Sequence, residues 1–249
     1  MSSAPITYDL SLLRQSATKW KTSGALRAMY GNMFQAIRAR LVPGKTLELG
    51  SGIGTSREFI PELVTSDIVA TEFVERAVSA YEIPAEDWAN IIALDVFHHL
   101  QKPMHFFESA TRALKPGGRI VLLEPAGTPW GRTFYGLVHP EPCRPELVGG
   151  DYEFSAEPDG SFANMGMGFA MFRSRKDEVA RRLRGIGLDI KEVKFRDLVA
   201  YPSSGGFSKP AVLPAPLLRT VLAAERLLPQ ALMRLLALRM IIVLERTVK

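Results

Sequence analysis

The sequence predicts an α/β fold: a mostly parallel, doubly wound sheet with helices ahead of it and loop or helix segments capping it. Three observations carry this reading. Short apolar runs alternate with helical or turn segments, the pattern of strands joined by crossover connections. A glycine-rich turn follows the first of those runs, in Thr46-Leu47-Glu48-Leu49-Gly50-Ser51-Gly52-Ile53-Gly54. The length of 249 residues, with 47% hydrophobic and 23% charged residues, suits one enlarged domain over 1–249 and excludes a disordered tail or a fibre.

Residues 1–45 form the N-terminal helical segment. Residues 9–41 read as helix, in two pieces broken near Thr22-Ser23-Gly24. Leu26, Met29, Tyr30, Met33, Phe34, Ile37 and Leu41 recur at steps of three and four, giving one buried stripe. Pro43-Gly44 then stops the helix. The core, 46–124, holds strand candidates at 46–50, 63–67, 76–79, 90–95 and 119–124. Before the last of these, Phe106, Phe107, Ala110, Ala113 and Leu114 form a helical stripe closed by Lys115-Pro116-Gly117-Gly118, a stop-and-turn signal. Residues 125–170 lose this rhythm and read as a long ordered loop over the sheet. A helix near 174–185 and a strand near 189–199 follow. Residues 201–216 are loop, 216–239 are helix interrupted by Pro229, and Met240-Ile241-Ile242-Val243-Leu244 is a buried strand. The segments 125–170 and 200–239 are expected to cap the substrate side.

Charge is distributed unevenly along the chain, whose net charge is +5. Residues 1–45 net +6, residues 46–172 net −10, and the stretches 173–197 and 198–249 net +4 and +5. A nucleic-acid-binding module gathers basic charge on one motif, so no nucleic-acid partner is expected. One cysteine, Cys143, excludes a disulfide framework, and it reads as an inert thiol. The start, MSSAPITYDL, lacks the charged and apolar regions of a secretory signal, and no apolar window reaches 18 residues, so a soluble cytoplasmic protein is expected. Arg219, Arg226 and Arg234 share a helix face amid leucines in 216–239. That segment can bury itself on the protein's own sheet, in a homodimer, or at an anionic lipid surface.

The glycine turn gives the strongest chemical signal. Glycines at alternate positions let the backbone turn tightly and approach a ligand, and a helix starting after them offers free N–H groups. A dinucleotide fold wants G-x-G-x-x-G, and neither register fits here, with Thr55 and Arg57 in the places of the third glycine. An acid two residues before G-x-G-x-G is similar instead to class I S-adenosylmethionine-dependent methyltransferases. Leu63-Val64-Thr65-Ser66-Asp67 resembles their second strand, and Asp87 to Asp95 their fourth. Val96-Phe97-His98-His99-Leu100 continues it as in the type 11 subgroup, and Leu114 to Glu124 resembles the helix-turn-fifth-strand signature. The resemblance implies a Rossmann-like sheet of seven strands with the last antiparallel.

For the cofactor, S-adenosylmethionine, the resemblance implies contacts from Glu48, Gly50, Ser51, Gly52 and Gly54. Asp67 takes the ribose hydroxyls with Ile68 beside it (Glu72 is the runner-up), and Asp95 with Val96 lines the cofactor edge. Where the family carries an acid for the adenine, this chain has Ser79, so Ser79 and Ala80 are expected there. Only nine residues separate Gly54 from Val64, so the first crossover is a stub.

Methyl transfer to an alcohol needs proton removal, for which histidine is suited. His98 is the first candidate base and His99 the alternative, with Glu124 after the fifth strand as its acidic partner. His139 and Glu141, and the run Tyr201 to Ser208, are candidate lids over the acceptor. Four histidines scattered along the chain lack ligand spacing, so no metal is assigned. The function expected is O-methylation of a small-molecule or glycan-like acceptor. The alternatives are N- or C-methylation, a nicotinamide-dependent oxidoreductase, or a non-catalytic binding module.

Overall fold

The computed structural model describes residues 10–156 and 161–248. The reading of the first nine residues, and residues 157–160 of the expected cap, lie outside them. Two helices open the described chain, α1 (Leu10–Thr22) and α2 (Gly24–Arg38), and the break falls where the sequence put it. Ser23 makes that break: its hydroxyl accepts from the Leu26 N–H at 3.2 Å, capping α2.

Seven strands follow: β1 (Thr46–Leu49), β2 (Leu63–Asp67), β3 (Arg76–Ala77), β4 (Trp88–Leu94), β5 (Leu114–Pro125), β6 (Leu188–Arg196) and β7 (Arg239–Arg246). They form one sheet in the order β3-β2-β1-β4-β5-β7-β6. The first five are parallel, and β7 runs antiparallel to both β5 and β6. The Pro116-Gly117-Gly118 turn lies inside β5 as a bulge, because Trp88 pairs with Leu114 and Asn90 already with Arg119. Between β1 and β2 there is only a 3₁₀ turn, Thr55–Glu58, the stub that the short spacing required.

Strand alternation splits the core into two layers. Ile120, Leu122, Met240 and Ile242 face one side, with Phe97, Phe107 and Phe172. Val121, Leu123, Ile241 and Val243 face the other, with Met33 and Ile37 of α2. On the first side lie α3 (Pro103–Ala113), α5 (Met167–Phe169), which runs on as a π turn over Ala170–Ser174, and α6 (Lys176–Gly185).

The long-loop expectation for 125–170 needs correction. A helix, α4 (Pro129–Val138), stands inside it. Gly131 and Gly136 interrupt its apolar stripe, and so the period was hidden. Its start is nevertheless well made, since the Thr128 hydroxyl accepts from the Gly131 N–H at 2.9 Å and Pro129 opens the first turn. The loop at 201–216 likewise begins with a single helical turn, α7 (Ala200–Ser203). The last helical segment divides at Pro229 as expected, into α8 (Ala215–Glu225) and α9 (Gln230–Leu236). Leu218 and Leu222 of α8 bury against α2 and the sheet, which settles part of the 216–239 face on the protein's own fold. Leu217, Leu227, Leu232 and Leu235 stay exposed. No helix among the described residues is long and apolar enough to cross a membrane.

Candidate active site

The carboxyl ends of β1, β2, β4 and β5 meet at one edge of the sheet, where open α/β sheets bind ligands. Beyond β1 the chain turns through Gly50, Gly52 and Gly54, all with φ between 53° and 66°. A Cβ at Gly50 would strike Val96 Cγ2, and one at Gly54 would lie 2.6 Å from the Phe73 carbonyl oxygen. Those two glycines therefore answer to the protein's own packing. At Gly52 a Cβ would meet nothing within 4 Å, so this position faces open space.

The turn is braced from β2. Ser51 N–H donates to the Ser66 carbonyl at 2.8 Å, and Gly52 N–H donates to Asp67 Oδ2 at 3.0 Å. The other carboxylate oxygen of Asp67 accepts from Ile68 N–H at 2.8 Å, while the Ile68 side chain is about half exposed. Each Asp67 oxygen keeps a lone pair free. Glu72 is instead exposed and paired with Arg14 at 2.8 Å. Glu48 lies buried under the turn, where the Ser56 hydroxyl donates to it. Burial raises the Glu48 carboxyl above its ordinary range, and the Ser56 and Ser51 hydrogen bonds offset this only in part. The Ser79 hydroxyl accepts from the Tyr81 N–H at 3.2 Å and so closes its own turn.

At the end of β4, Asp95 takes φ +59° and meets the guanidinium of Arg239, with Nη1 2.5 Å from Oδ1. Arg239 is wholly buried, and its Nε has no partner among the described residues. Val96 to His99 follow as a short turn wrapped round Glu124. One Glu124 oxygen accepts from Val96 N–H at 3.0 Å and Phe97 N–H at 2.9 Å, and the other from His98 Nδ1–H at 2.6 Å. Glu124 and His98 are both buried. The far nitrogen of His98, Nε2, lies 3.4 Å from Glu141 Oε2. Burial alone would lower the His98 pKa, but the Glu124 and Glu141 carboxylates reverse this and push it up to about 9.

His99 has a different setting. Its Nδ1–H donates to the Phe162 carbonyl at 3.1 Å, and its Nε2 lies 3.9 Å from Glu141 Oε1. Burial, followed by the neighbouring His98 charge, lowers its pKa. A cavity of about 1120 Å³ opens in front of both rings. Tyr30, Asp95, Tyr135, Tyr201 and Arg239 line it, and Gly205 to Lys209 form part of its rim. The candidate lids thus do border the cavity, one through His139 and Glu141 and the other through Tyr201 to Ser208.

Comparison with known proteins accords with this geometry. A family model described as "Methyltransferase domain" matches residues 47–122. A SAM-dependent methyltransferase from Thermotoga maritima superposes with a TM-score of 0.53 at 13% identity, covering 93% of this chain and 95% of its own. Another, from Archaeoglobus fulgidus, gives a TM-score of 0.51 at 12% identity, with 88% and 94% covered. No curated protein matches the sequence. Residues 47–122 thus carry a methyltransferase domain, and the chain has the fold of S-adenosylmethionine-dependent methyltransferases. The cofactor of this methyltransferase is S-adenosylmethionine, and the open space at Gly52 beside a carboxylate with free lone pairs fits such a ligand.

Sequence reasoning found His98, His99 and Glu124, which the structure brings together. It named Asp95 without its partner. Arg239 was missed, although a lone cation at the head of the apolar run Met240 to Leu244 was a signal for a buried charge. The convergence of Glu141 on both rings was also missed, since 41 residues separate it from His99.

Proposed function

We propose that this methyltransferase acts on an oxygen of a small-molecule or glycan-like acceptor seated in the cavity before Asp95. One observation carries the reading: a histidine pair, held from behind by Glu124 and a backbone carbonyl, forms the wall where that cavity reaches the strand ends. In this reading Glu48, Gly50, Ser51, Gly52 and Gly54 cradle the cofactor. Asp67 accepts from the ribose hydroxyls, Ile68 with Ser79 and Ala80 borders the adenine, and Asp95 and Val96 form the inner wall. The cofactor supplies a methyl group on a positively charged sulfur. The chain's own task is to align an acceptor oxygen with it and to remove that oxygen's proton.

Geometry favours His99 over His98 for the proton. Both nitrogens of His98 face carboxylates, and its side chain is 4% exposed. His99 is 42% exposed, and donating Nδ1–H to the Phe162 carbonyl leaves the Nε2 lone pair free on the ring edge that faces Glu141, which borders the cavity. His98 with Glu124 then acts as a positioning pair, because their hydrogen bonds fix the turn that carries His99. The test is methyl transfer to a panel of hydroxylated, amino and carbon-acid acceptors, followed in the most active by substitution. His99→Ala should lower turnover by about a hundredfold or more, with cofactor affinity nearly unchanged. Transfer to amines alone, or full turnover in His99→Ala and His98→Ala alike, would overturn the reading.

A further inference from the structure

We infer that His98, His99 and Glu141 form a binding site for a divalent transition-metal ion of the zinc type. Glu124 and the Phe162 carbonyl are acceptors, so the two Nδ1 atoms facing them must carry the protons. In the neutral rings both Nε2 atoms are then acceptors. Yet both are turned toward a third acceptor, the Glu141 carboxylate, one to each oxygen, at 3.4 and 3.9 Å. The charge of that carboxylate is met either by a proton on His98 Nε2, which the raised pKa of His98 allows, or by a cation that displaces it.

The spacing is that of a metal site. With zinc–ligand bonds of about 2.0–2.1 Å, the edge of a tetrahedron is about 3.3 Å. His98 Nε2 and Glu141 Oε2 already stand near that separation, and all three ligand atoms lie within 4.8 Å of one another. The outer partners are those of metal-binding histidines, whose second nitrogen donates to a carboxylate or a backbone carbonyl. Two histidines and one glutamate leave a fourth position open, toward the cavity. The other nearby set, Asp95, His98 and Glu124, is a poorer site because Arg239 already neutralises Asp95 and Glu124 holds His98 through Nδ1.

The ion and the acceptor's proton would compete for the same lone pairs. On the acceptor reading given above, the metal-loaded protein is therefore inactive, and a chelator restores it. The binding itself does not depend on that reading.

Chelator-treated full-length protein should be titrated with Co²⁺ and, by calorimetry, with Zn²⁺, both without cofactor. The expected result is one equivalent bound, with the visible absorption of four-coordinate cobalt. Glu141→Gln and His99→Ala change side chains that are partly exposed, and each should weaken Zn²⁺ binding about a hundredfold or more with the fold intact by circular dichroism. Glu124→Gln should weaken it about tenfold. Absence of the cobalt spectrum in the wild type, or unchanged Zn²⁺ affinity in both ligand variants, overturns the site. A His99→Ala protein that loses cobalt binding but keeps full methyl transfer would remove the base assignment and leave the metal site standing.

Discussion

At Gly52 the backbone and the open space make opposite demands on a side chain. Its φ of +53° disfavours any side chain, and the space a Cβ would enter is empty of protein. Gly52→Val should therefore fold, at a cost of about 1–2 kcal/mol for the left-handed conformation, and lose S-adenosylmethionine. Calorimetry checks this: an affinity within a few fold of wild type would show that the cofactor does not pass this glycine. Cys143 offers a contrasting case. Burial pushes its thiol up to about 11, with Arg132 only partly opposing. A thiol of ordinary pKa near 8.5 is partly thiolate at about pH 8, so Cys143 should alkylate about a hundredfold more slowly than a free cysteine. Iodoacetamide kinetics on the native and the denatured chain measure the ratio. The sequence reading of an inert thiol passed over the adjoining Arg144, and the structure supplies the physical reason, which is packing against Tyr135, Met165 and Leu238.

Elements were legible where one period ran uninterrupted. The β1 turn, β2, β4 and the halves of 216–239 divided by Pro229 were all readable, because alternation or a helical stripe continued for the whole element. Helix α4 was not, since Gly131 and Gly136 are poor helix formers and long-range contacts hold it along with the Thr128 cap. Tyr135 is fully buried and donates its hydroxyl to the Leu238 carbonyl, while Thr128 donates to the Ala237 carbonyl at 2.8 Å. Thr128 thus serves as helix cap and as tie to the segment entering β7. Thr128→Ala removes both roles and leaves the buried Ala237 carbonyl without that donor. The expected loss is about 2–3 kcal/mol, more than the roughly 1 kcal/mol of an ordinary cap. Denaturant unfolding of Thr128→Ser, which keeps the hydroxyl, should recover most of it. The candidate site followed the same division. His98, His99 and Glu124 sit in local motifs and could be read. Glu141 and Arg239 reach them only through tertiary packing, across distances in sequence that no periodicity spans.

For the whole molecule, the sheet order gives the two ends of the chain different weights. β7 is the last strand in sequence but lies between β5 and β6, paired along its length with both. It supplies Met240, Ile242 and Leu244 to one core and Ile241 and Val243 to the other, and Arg239 to the Asp95 ion pair. Ending the chain at residue 238 would remove an inner strand and should leave no cooperative unfolding transition. The opposite end is different. Within α1 only Trp20 is buried, and the helix is fastened by polar contacts: Trp20 Nε1–H to Glu58 at 2.7 Å, Arg14 to Glu72 at 2.8 Å and Lys19 to the Lys209 carbonyl at 2.5 Å. It also walls the cavity through Leu12, Gln15, Ser16 and Lys19. Deleting residues 1–22 should therefore leave a folded sheet, destabilised by about 3–5 kcal/mol for the loss of the buried tryptophan. The groove proposed for the cofactor lies elsewhere, at Gly52 and Asp67, so on that reading affinity for S-adenosylmethionine should stay within about threefold, an amount worth well under one kcal/mol. Acceptor turnover should fall far more, because the cavity loses one side and with it the alignment that in-line transfer requires. Calorimetry and methyl-transfer rates on the same truncated protein decide the matter. Equal losses of cofactor binding and turnover would mean that α1 supports the groove rather than the acceptor chamber.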